Sequence, residues 1–173
     1  KAATALPFFI DIAKGLAYAH SRGVLHTDVK PSNVMLTVRK DKKAKALIVD
    51  FGLARSINWE TSRCLTSEIY GSPLYMSPEQ CTGADLDSRS DIYSLGCMYY
   101  EMLAGRPPLE GKNPLHTFAM HIYEHPQSIN NHLPESAKVP RDVEDLIKKC
   151  MHKSPDERFK SITEVLAAVK ALN

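Results

Sequence analysis

The sequence predicts a mostly α-helical domain with one small β-hairpin near its N-terminal end. Three observations support this fold class: helical periodicity over residues 6–21 and 141–152, an almost wholly apolar stretch over 89–104, and two short strand-like segments, 34–38 and 46–49. With 173 residues, 43% of them hydrophobic and 24% charged, the chain matches ordinary globular usage. It is long enough to bury the core of one domain.

The first two predicted elements are a helix and the hairpin. Phe9, Ile12 and Leu16 recur at helical spacing, and Gly23 follows them as a stop signal. The basic run 39–43 separates the two strand-like segments. It could contact a phosphate or an acidic partner, but loop tips collect charge, so we interpret it as a solvated hairpin tip.

The middle of the chain predicts a long loop followed by a core helix. Residues 52–79 are polar, rich in hydroxyl groups and low in periodicity, which is typical of a functional or disordered loop. Residues 89–104 are apolar on almost all sides, and a helix with that pattern is buried. Gly105 and the pair Pro107-Pro108 are expected to end it.

The last third of the chain predicts further helices. Residues 113–125 predict a shorter helix, and 126–140 form a connection rich in proline and asparagine. Residues 141–152 place apolar side chains on one face, which indicates an amphipathic helix. Ser161 and Glu164 have the spacing of a capping box, so we expect a final helix to begin there.

Charge and cysteine content exclude several classes of protein. Lys and Arg number 22 and Asp and Glu 20, so the net charge is only +2 and no nucleic-acid partner is indicated. No apolar run approaches the ~20 residues of a membrane span. The cysteines are far apart and contain no C-x-x-C pair, which indicates a reduced set and a cytoplasmic location.

The strongest chemical signal is the run His-Thr-Asp-Val-Lys-Pro-Ser-Asn at 26–33, which joins the first helix to the first strand. Asp28 can accept a proton from a hydroxyl, Lys30 can steady a phosphoryl group, and Asn33 can turn an oxygen toward a metal ion. Asp-Phe-Gly at 50–52 follows the second strand. A carboxylate at a strand end, before a flexible glycine, suits Mg²⁺, which prefers oxygen ligands.

These motifs are followed, in order, by Ser-Pro-Glu at 77–79, by Asp91 and by Arg158. Together they resemble the C-terminal lobe of the eukaryotic-type serine/threonine protein kinase family, and the resemblance covers essentially the whole chain. The run 26–33 is similar to the catalytic loop H-R-D-x-x-x-x-N, 50–52 to D-F-G, and 77–79 to A-P-E. The resemblance implies a helical lobe with the hairpin at its catalytic cleft.

The resemblance also implies an activity. It implies transfer of the γ-phosphate of ATP to a Ser or Thr hydroxyl of a protein substrate, with ATP and Mg²⁺ bound in the cleft. In this interpretation Asp28 and Lys30 are catalytic, and Asn33 and Asp50 hold Mg²⁺. ATP would contact Lys30, Asn33 and Asp50, and Met35 would lie under its adenine ring.

Further residues have implied roles outside the reacting centre. Ser72 would face the catalytic aspartate in the loop that seats the acceptor residue. Hydroxyls of the activation segment are candidate phosphorylation sites, although ordinary loop polarity explains them equally well: Thr61, Ser62, Thr66 and Ser67. Glu79 and Arg158 would form a buried ion pair, and Asp91 would tie the catalytic loop to the central helix. His26 and Phe51 are interpreted as packing residues.

The sequence departs from the family pattern in two ways. Thr27 stands where regulated kinases carry Arg, and a hydroxyl cannot make a bidentate phosphate contact, which argues against loop phosphorylation acting through this position. No G-x-G-x-x-G motif or strand lysine precedes the catalytic loop. We therefore expect residues 1–173 to be a C-terminal lobe whose partner, the N-terminal lobe, lies outside this chain. The isolated lobe is expected to be inactive and to expose apolar surface on its front.

Two alternatives come from other functional classes. A pseudokinase-type binding or scaffold module would keep the fold without transfer, but the presence of Asp28, Lys30, Asn33 and Asp50 argues against it. His121-Ile-Tyr-Glu124-His125 matches H-x-x-E-H, a zinc-protease motif, so a zinc hydrolase is a remote alternative. Nothing around that motif supports it, and a proline follows it at once.

Overall fold

This computed structural model describes residues 2–38, 44–51, 55–56 and 72–172. These ranges contain six α-helices and two small antiparallel sheets. The mostly helical fold with a small hairpin is thereby confirmed. The helices are α1 (Ala2–Ser21), α2 (Pro78–Thr82), α3 (Ser88–Ala104), α4 (Pro114–Tyr123), α5 (Arg141–Cys150) and α6 (Ile162–Lys170). The strands are β1 (Val24–Leu25), β2 (Val34–Val38), β3 (Ala44–Ile48) and β4 (Arg55–Ser56).

Helix α1 begins before the predicted start at residue 6. The chain continues as a helix through Pro7, because the preceding Ala-Ala-Thr-Ala is mostly alanine, the strongest helix former. The apolar residues that predicted the helix are buried: Phe9, Ile12, Ala13 and Leu16. Gly23, with φ of 72°, then turns the chain into β1 in a conformation that favours glycine.

The hairpin forms from β2 and β3, which pair with Met35 opposite Leu47. Strand β3 begins and ends slightly earlier than the predicted 46–49, and the basic run 39–43 lies outside the described residues. The hairpin packs on α1, because the backbone N–H of Ala46 donates to Asp11 Oδ2 at 3.2 Å. A Cβ on Gly15 would lie 2.8 Å from Ile48 Cγ2, so α1 and β3 approach closely there.

The prediction of a long loop over 52–79 was wrong for the part that the structure describes. β4 pairs with β1, a 3₁₀ turn covers Pro73–Tyr75, and α2 begins at Pro78. These elements are two to five residues long, too short to show a periodic pattern. A signal for α2 was nevertheless present, because Ser77 and Gln80 have capping-box spacing and form both bonds of that motif.

Helix α3 is the central element of the core, as its all-round apolar pattern predicts. The Asp87 side chain caps its first turn, and Gly105, with φ of 78°, ends it. The ring of Tyr99 stacks on Phe9 of α1, with 4.1 Å between centroids. The largest wholly buried side chains of α3 are Ile92, Tyr93, Leu95, Met98, Tyr99, Tyr100 and Leu103. The helix therefore supplies a rigid base for any side chain at its N-terminal end.

The remaining helices pack around α3. Helix α5 buries the apolar face that predicted it, through Val143, Leu146, Ile147 and Cys150. Helix α6 begins after Ser161, whose Oγ accepts from the Glu164 N–H at 3.3 Å. The capping box is only half formed, because Glu164 accepts from the N–H of Lys160 instead of Ser161. No helix in the described ranges is long and apolar enough to cross a membrane.

Candidate active site

The loop between β1 and β2 brings three polar side chains together. Lys30 Nζ lies 2.7 Å from Asp28 Oδ2. The 3₁₀ turn Pro31–Asn33 folds Asn33 back onto the same carboxylate, so that its Nδ2 donates to Asp28 Oδ2 at 3.0 Å and to Asp28 O at 2.9 Å. The Asp28 side chain keeps 12% of its surface exposed. The carboxylate is therefore held on two sides and still open to solvent.

The end of β3 lies directly against this loop. The Val49 N–H donates to Asn33 O at 2.9 Å, and His26 Nε2 donates to Val49 O at 3.1 Å. The Asp28 N–H in turn donates to His26 Nδ1 at 3.3 Å, which assigns the neutral Nε2–H tautomer. Asp50 follows Val49 and has φ of 64°, a strained conformation of the kind that recurs at functional sites. The structure thus places Asp50 one residue after the strand end that is hydrogen-bonded to Asn33.

Asp91, in the first turn of α3, fixes the backbone of the loop. Its Oδ2 accepts from the N–H of His26 and its Oδ1 from the N–H of Thr27, both at 2.8 Å. His20 Nε2 lies 2.7 Å from the same Oδ2. The carboxylate is buried, and these contacts hold Thr27 at a φ of 65°. His20 was not predicted, because a lone histidine at a helix end belongs to no motif.

Phe51 and Met35 border the loop. The Phe51 ring lies against His26 with 4.5 Å between centroids, and the packing role expected for both residues stays a prediction. Met35 is 59% exposed on β2, the strand that leaves the loop at Asn33. Its side chain is accessible to a ligand, as its expected place beneath adenine requires.

Glu79 and Arg158 form a buried bidentate ion pair, with N–O distances of 2.7 and 2.9 Å. Burial alone would raise the pKa of Glu79, but hydrogen bonding and charge from Arg158, with a hydrogen bond from Ser90, lower it. The remaining guanidinium protons of Arg158 donate to backbone carbonyls of Arg89, His152 and Lys153. The pair therefore joins α2 to the chain before α6.

The segment 72–82 contains the last described part of the activation segment, which the resemblance places between Asp50 and Glu79, together with the rest of α2. Ser72 precedes the turn Pro73–Tyr75, and the Tyr75 hydroxyl donates to Glu101 on α3. Within the described residues, no hydrogen bond joins Ser72 to Asp28, so its substrate role remains a prediction. The other hydroxyls singled out, and the glycine of Asp-Phe-Gly, lie outside the described residues: Thr61, Ser62, Thr66, Ser67 and Gly52.

Gln80 is a further contact of the loop that the motifs did not indicate. Its Nε2 donates to Thr27 O at 2.7 Å, while its Oε1 accepts from the Ser77 N–H at 3.0 Å. The second contact was predictable from the Ser-Pro-Glu-Gln capping pattern. The first was not, because it joins residues 53 positions apart.

The zinc-hydrolase alternative is wrong. Helix α4 ends at Tyr123, so Glu124 and His125 do not share a helical face with His121. His121 is buried, accepts from the Tyr93 hydroxyl at 2.9 Å, and has a pKa lowered to about 4 by burial and by the charge of Lys153. Within the described ranges, no three His, Cys, Asp or Glu side chains are placed to hold a metal ion.

Comparison with known proteins identifies the family. A family model for the protein kinase domain matches residues 2–169. The chain belongs to the protein kinase domain family. The kinase domain is 35% identical to serine/threonine-protein kinase PknB of Mycobacterium leprae, over 94% of this chain and 25% of that protein.

Two other relatives give the same result. A probable serine/threonine-protein kinase of Streptomyces coelicolor is 35% identical over 96% of this chain and 24% of its own length. PknB of Mycobacterium tuberculosis is 35% identical over 94% of this chain and 25% of its own length. The predicted family resemblance is confirmed. This chain spans about a quarter of the length of these curated relatives.

Proposed function

We propose that this chain is the C-terminal lobe of a serine/threonine protein kinase that transfers the γ-phosphoryl group of ATP to a protein hydroxyl. The observation that carries the proposal is the cluster of Asp28, Lys30 and Asn33, closed by bonds of 2.7 and 3.0 Å, with the strand end before Asp50 bonded to it. Phosphoryl transfer depends mainly on positioning and on charge stabilisation, and this cluster supplies both.

Asp28 is the group that receives the acceptor proton. It takes the hydroxyl proton as the new bond to phosphorus forms and the bond to the bridging oxygen breaks, which releases ADP. Lys30 and Asn33 already hold the carboxylate, so its orientation is set before the substrate arrives. The ammonium of Lys30, beside it, stabilises negative charge on the group in transfer.

Asn33 and Asp50 are the residues that would hold Mg²⁺. Both bonds from Asn33 to Asp28 use Nδ2, and among the described residues its Oδ1 accepts no hydrogen bond. An amide oxygen and one carboxylate, completed by phosphate oxygens and water, fit the way in which Mg²⁺ is usually bound. Bound there, the ion would neutralise charge on the ATP phosphates.

The proposal includes a partner lobe and a compartment. Apolar side chains of the hairpin are 41–70% exposed, and an N-terminal lobe that covers ATP would bury them: Met35, Leu36, Val38 and Leu47. We place the reaction in the cytoplasm, which is supported by the free thiols of Cys81, Cys97 and Cys150. The substrate is a protein with a Ser or Thr acceptor.

A transfer assay tests the proposed function. Full-length protein is incubated with radiolabelled ATP, Mg²⁺ and a general protein substrate, and the labelled product is hydrolysed to identify phosphoserine and phosphothreonine. In the wild type we expect labelled phosphoserine, labelled phosphothreonine or both. In Asp50→Ala we expect the label to be lost. Equal labelling of wild type and Asp50→Ala would overturn the proposal, and no labelling in the wild type would overturn it and favour the scaffold alternative.

A further inference from the structure

The side-chain amide of Gln80 joins two backbone groups that are distant in sequence. Its Oε1 accepts from the Ser77 N–H at 3.0 Å, within the capping box of α2, and its Nε2 donates to Thr27 O at 2.7 Å. The partners fix the orientation of the amide, because an N–H can face only the oxygen and a carbonyl only the nitrogen. Gln80 therefore spans from the segment 72–82 to the catalytic loop.

The carbonyl that Gln80 contacts belongs to the peptide that carries Asp28. The N–H of the same peptide donates to His26 Nδ1 at 3.3 Å, so both polar groups of the Thr27–Asp28 peptide are held. The preceding N–H, that of Thr27, is held by Asp91 at 2.8 Å. A change in ψ of Thr27 that the φ of Asp28 does not offset would turn the Cα–Cβ bond of Asp28, so holding both polar groups of this peptide restrains the direction of the carboxylate.

Thr27 needs such support, because its φ is 65°. A β-branched residue adopts the left-handed region only when its surroundings impose it. Asp91 holds the peptide on the N-terminal side of Thr27, and Gln80 holds the peptide on its C-terminal side. The Gln80 bond uses the backbone of Thr27 and needs no arginine at this position.

We infer that Gln80 is a positioning residue that couples the seating of segment 72–82 to the orientation of Asp28. The inference rests on the proposed kinase function. When α2 is docked, the amide of Gln80 fixes the peptide before Asp28; when α2 is displaced, that bond is lost and the carboxylate is released. The coupling runs through the neutral side chain of Gln80. It needs no bidentate phosphate contact at position 27, where a threonine cannot make one.

Gln80→Glu tests the bond from Gln80 to Thr27 O while keeping the capping bond that stabilises α2. Glu has the same shape, keeps the acceptor for the Ser77 N–H and is a normal residue at this position of a capping box. It replaces the donor to Thr27 O by an oxygen, so that the contact becomes repulsive. Gln80→Met removes the bond without adding charge. Glu164→Gln, at the equivalent position of α6, is the matched control, because Glu164 is exposed and its side chain accepts from the Lys160 N–H.

Two measurements are made on the full-length protein: steady-state kinetics, and amide hydrogen exchange of the loop peptides that contain His26 and Thr27. For Gln80→Glu and Gln80→Met we expect faster exchange and a kcat lower by roughly tenfold, less than the ~100-fold cost of a 1 Å misplacement. The KM for MgATP is expected to stay at the wild-type value. Glu164→Gln is expected to change neither quantity.

Each other outcome counts against the inference. Unchanged exchange, unchanged kcat, or a change confined to the KM for MgATP would overturn it while leaving the kinase proposal intact. An effect of Gln80→Glu that Gln80→Met does not share would assign the effect to charge and overturn it too. If the wild type transfers no more phosphate than the Asp28→Asn variant, the kinase proposal and this inference are overturned together.

Discussion

At the scale of single residues, Arg158 joins parts of the chain that no local pattern connects. Its side chain is wholly buried, pairs with Glu79 through two nitrogens, and donates to carbonyls of Arg89, His152 and Lys153. A buried charge left without its partner is costly, since neither water nor a counter-ion replaces the lost bonds. The free energy of unfolding should therefore depend strongly on this residue.

Arg158→Met, which keeps most of the volume, is expected to lower the free energy of unfolding by about 3–5 kcal/mol at pH 7, because Glu79 stays buried and unpaired. Urea denaturation measures the change. Arg141→Met is the control: its side chain is 93% exposed and lies 3.7 Å from Asp145, so a change below about 0.5 kcal/mol is expected. Equal effects of the two variants would contradict the buried pair.

The same pair predicts a dependence on pH. The pKa of Glu79 is lowered in the folded wild type, so its contribution is present above the ordinary value of 4.5 and is lost as pH falls through the folded pKa. Without Arg158, burial is opposed mainly by the hydrogen bond from Ser90, so the pKa of Glu79 is higher than in the wild type and the penalty disappears once the carboxyl is protonated. Urea unfolding across pH 7 to 4 should show the two proteins converging; a constant difference would contradict this assignment.

At the residue scale, contacts between residues close in sequence were predictable and contacts between distant residues were not. Asp28, Lys30 and Asn33 were predictable as a cluster, because they lie within one short loop next to a strand. The bonds from Gln80 to Thr27 and from His20 to Asp91 join residues 53 and 71 positions apart. No spacing rule connects such residues, since only the packing of whole helices brings them together.

At the scale of secondary-structure elements, the contact between α3 and α5 is set by a glycine. A Cβ on Gly96 would lie 2.8 Å from both Cys150 Cβ and Met151 Cγ, closer than side-chain atoms pack. The helix pattern of 89–104 predicted the burial of α3 but not which residue allows α5 to approach. The long helices were predictable from their periodicity, whereas α2, β1 and β4 were too short to show one.

Gly96→Ala tests this contact. Helix propensity alone would stabilise the variant by about 1 kcal/mol, but crowding in a packed core costs typically 1–3 kcal/mol. We expect crowding to prevail and the melting temperature to fall. Thr163→Ala, at an exposed position of α6, serves as the control and should leave it nearly unchanged. A rise in melting temperature for Gly96→Ala would show that the two helices do not approach so closely.

At the scale of the whole molecule, the fold gathers the proposed reacting groups at the base of the hairpin. β2 leaves the loop at Asn33 and β3 returns to Asp50, so the two proposed Mg²⁺ ligands lie where the strands meet the helical body. Helix α3 holds the loop before the hairpin through Asp91, which accepts from the His26 N–H. The family and fold class were predictable from ordered motifs, because each motif marks a fixed junction between elements.

Nucleotide binding tests this arrangement. For full-length protein, MgATP at a hundredfold excess over its Kd adds about 2.7 kcal/mol, which raises the melting temperature of a domain of this size by about 5 °C or more. Asp50→Ala should lose most of that shift, and ATP without Mg²⁺ should give less of it. An undiminished shift in Asp50→Ala would place the metal elsewhere.

The most direct test of the proposed reaction is the single-turnover rate of phosphoryl transfer by the full-length protein and its Asp28→Asn variant. The two proteins should show the same thermal shift with MgATP, because Asn keeps the shape of Asp28. The transfer rate should fall by about 10²–10⁴-fold, the usual contribution of a positioned acid or base. Equal transfer rates in the two proteins would contradict the assignment of Asp28 as the group that receives the acceptor proton.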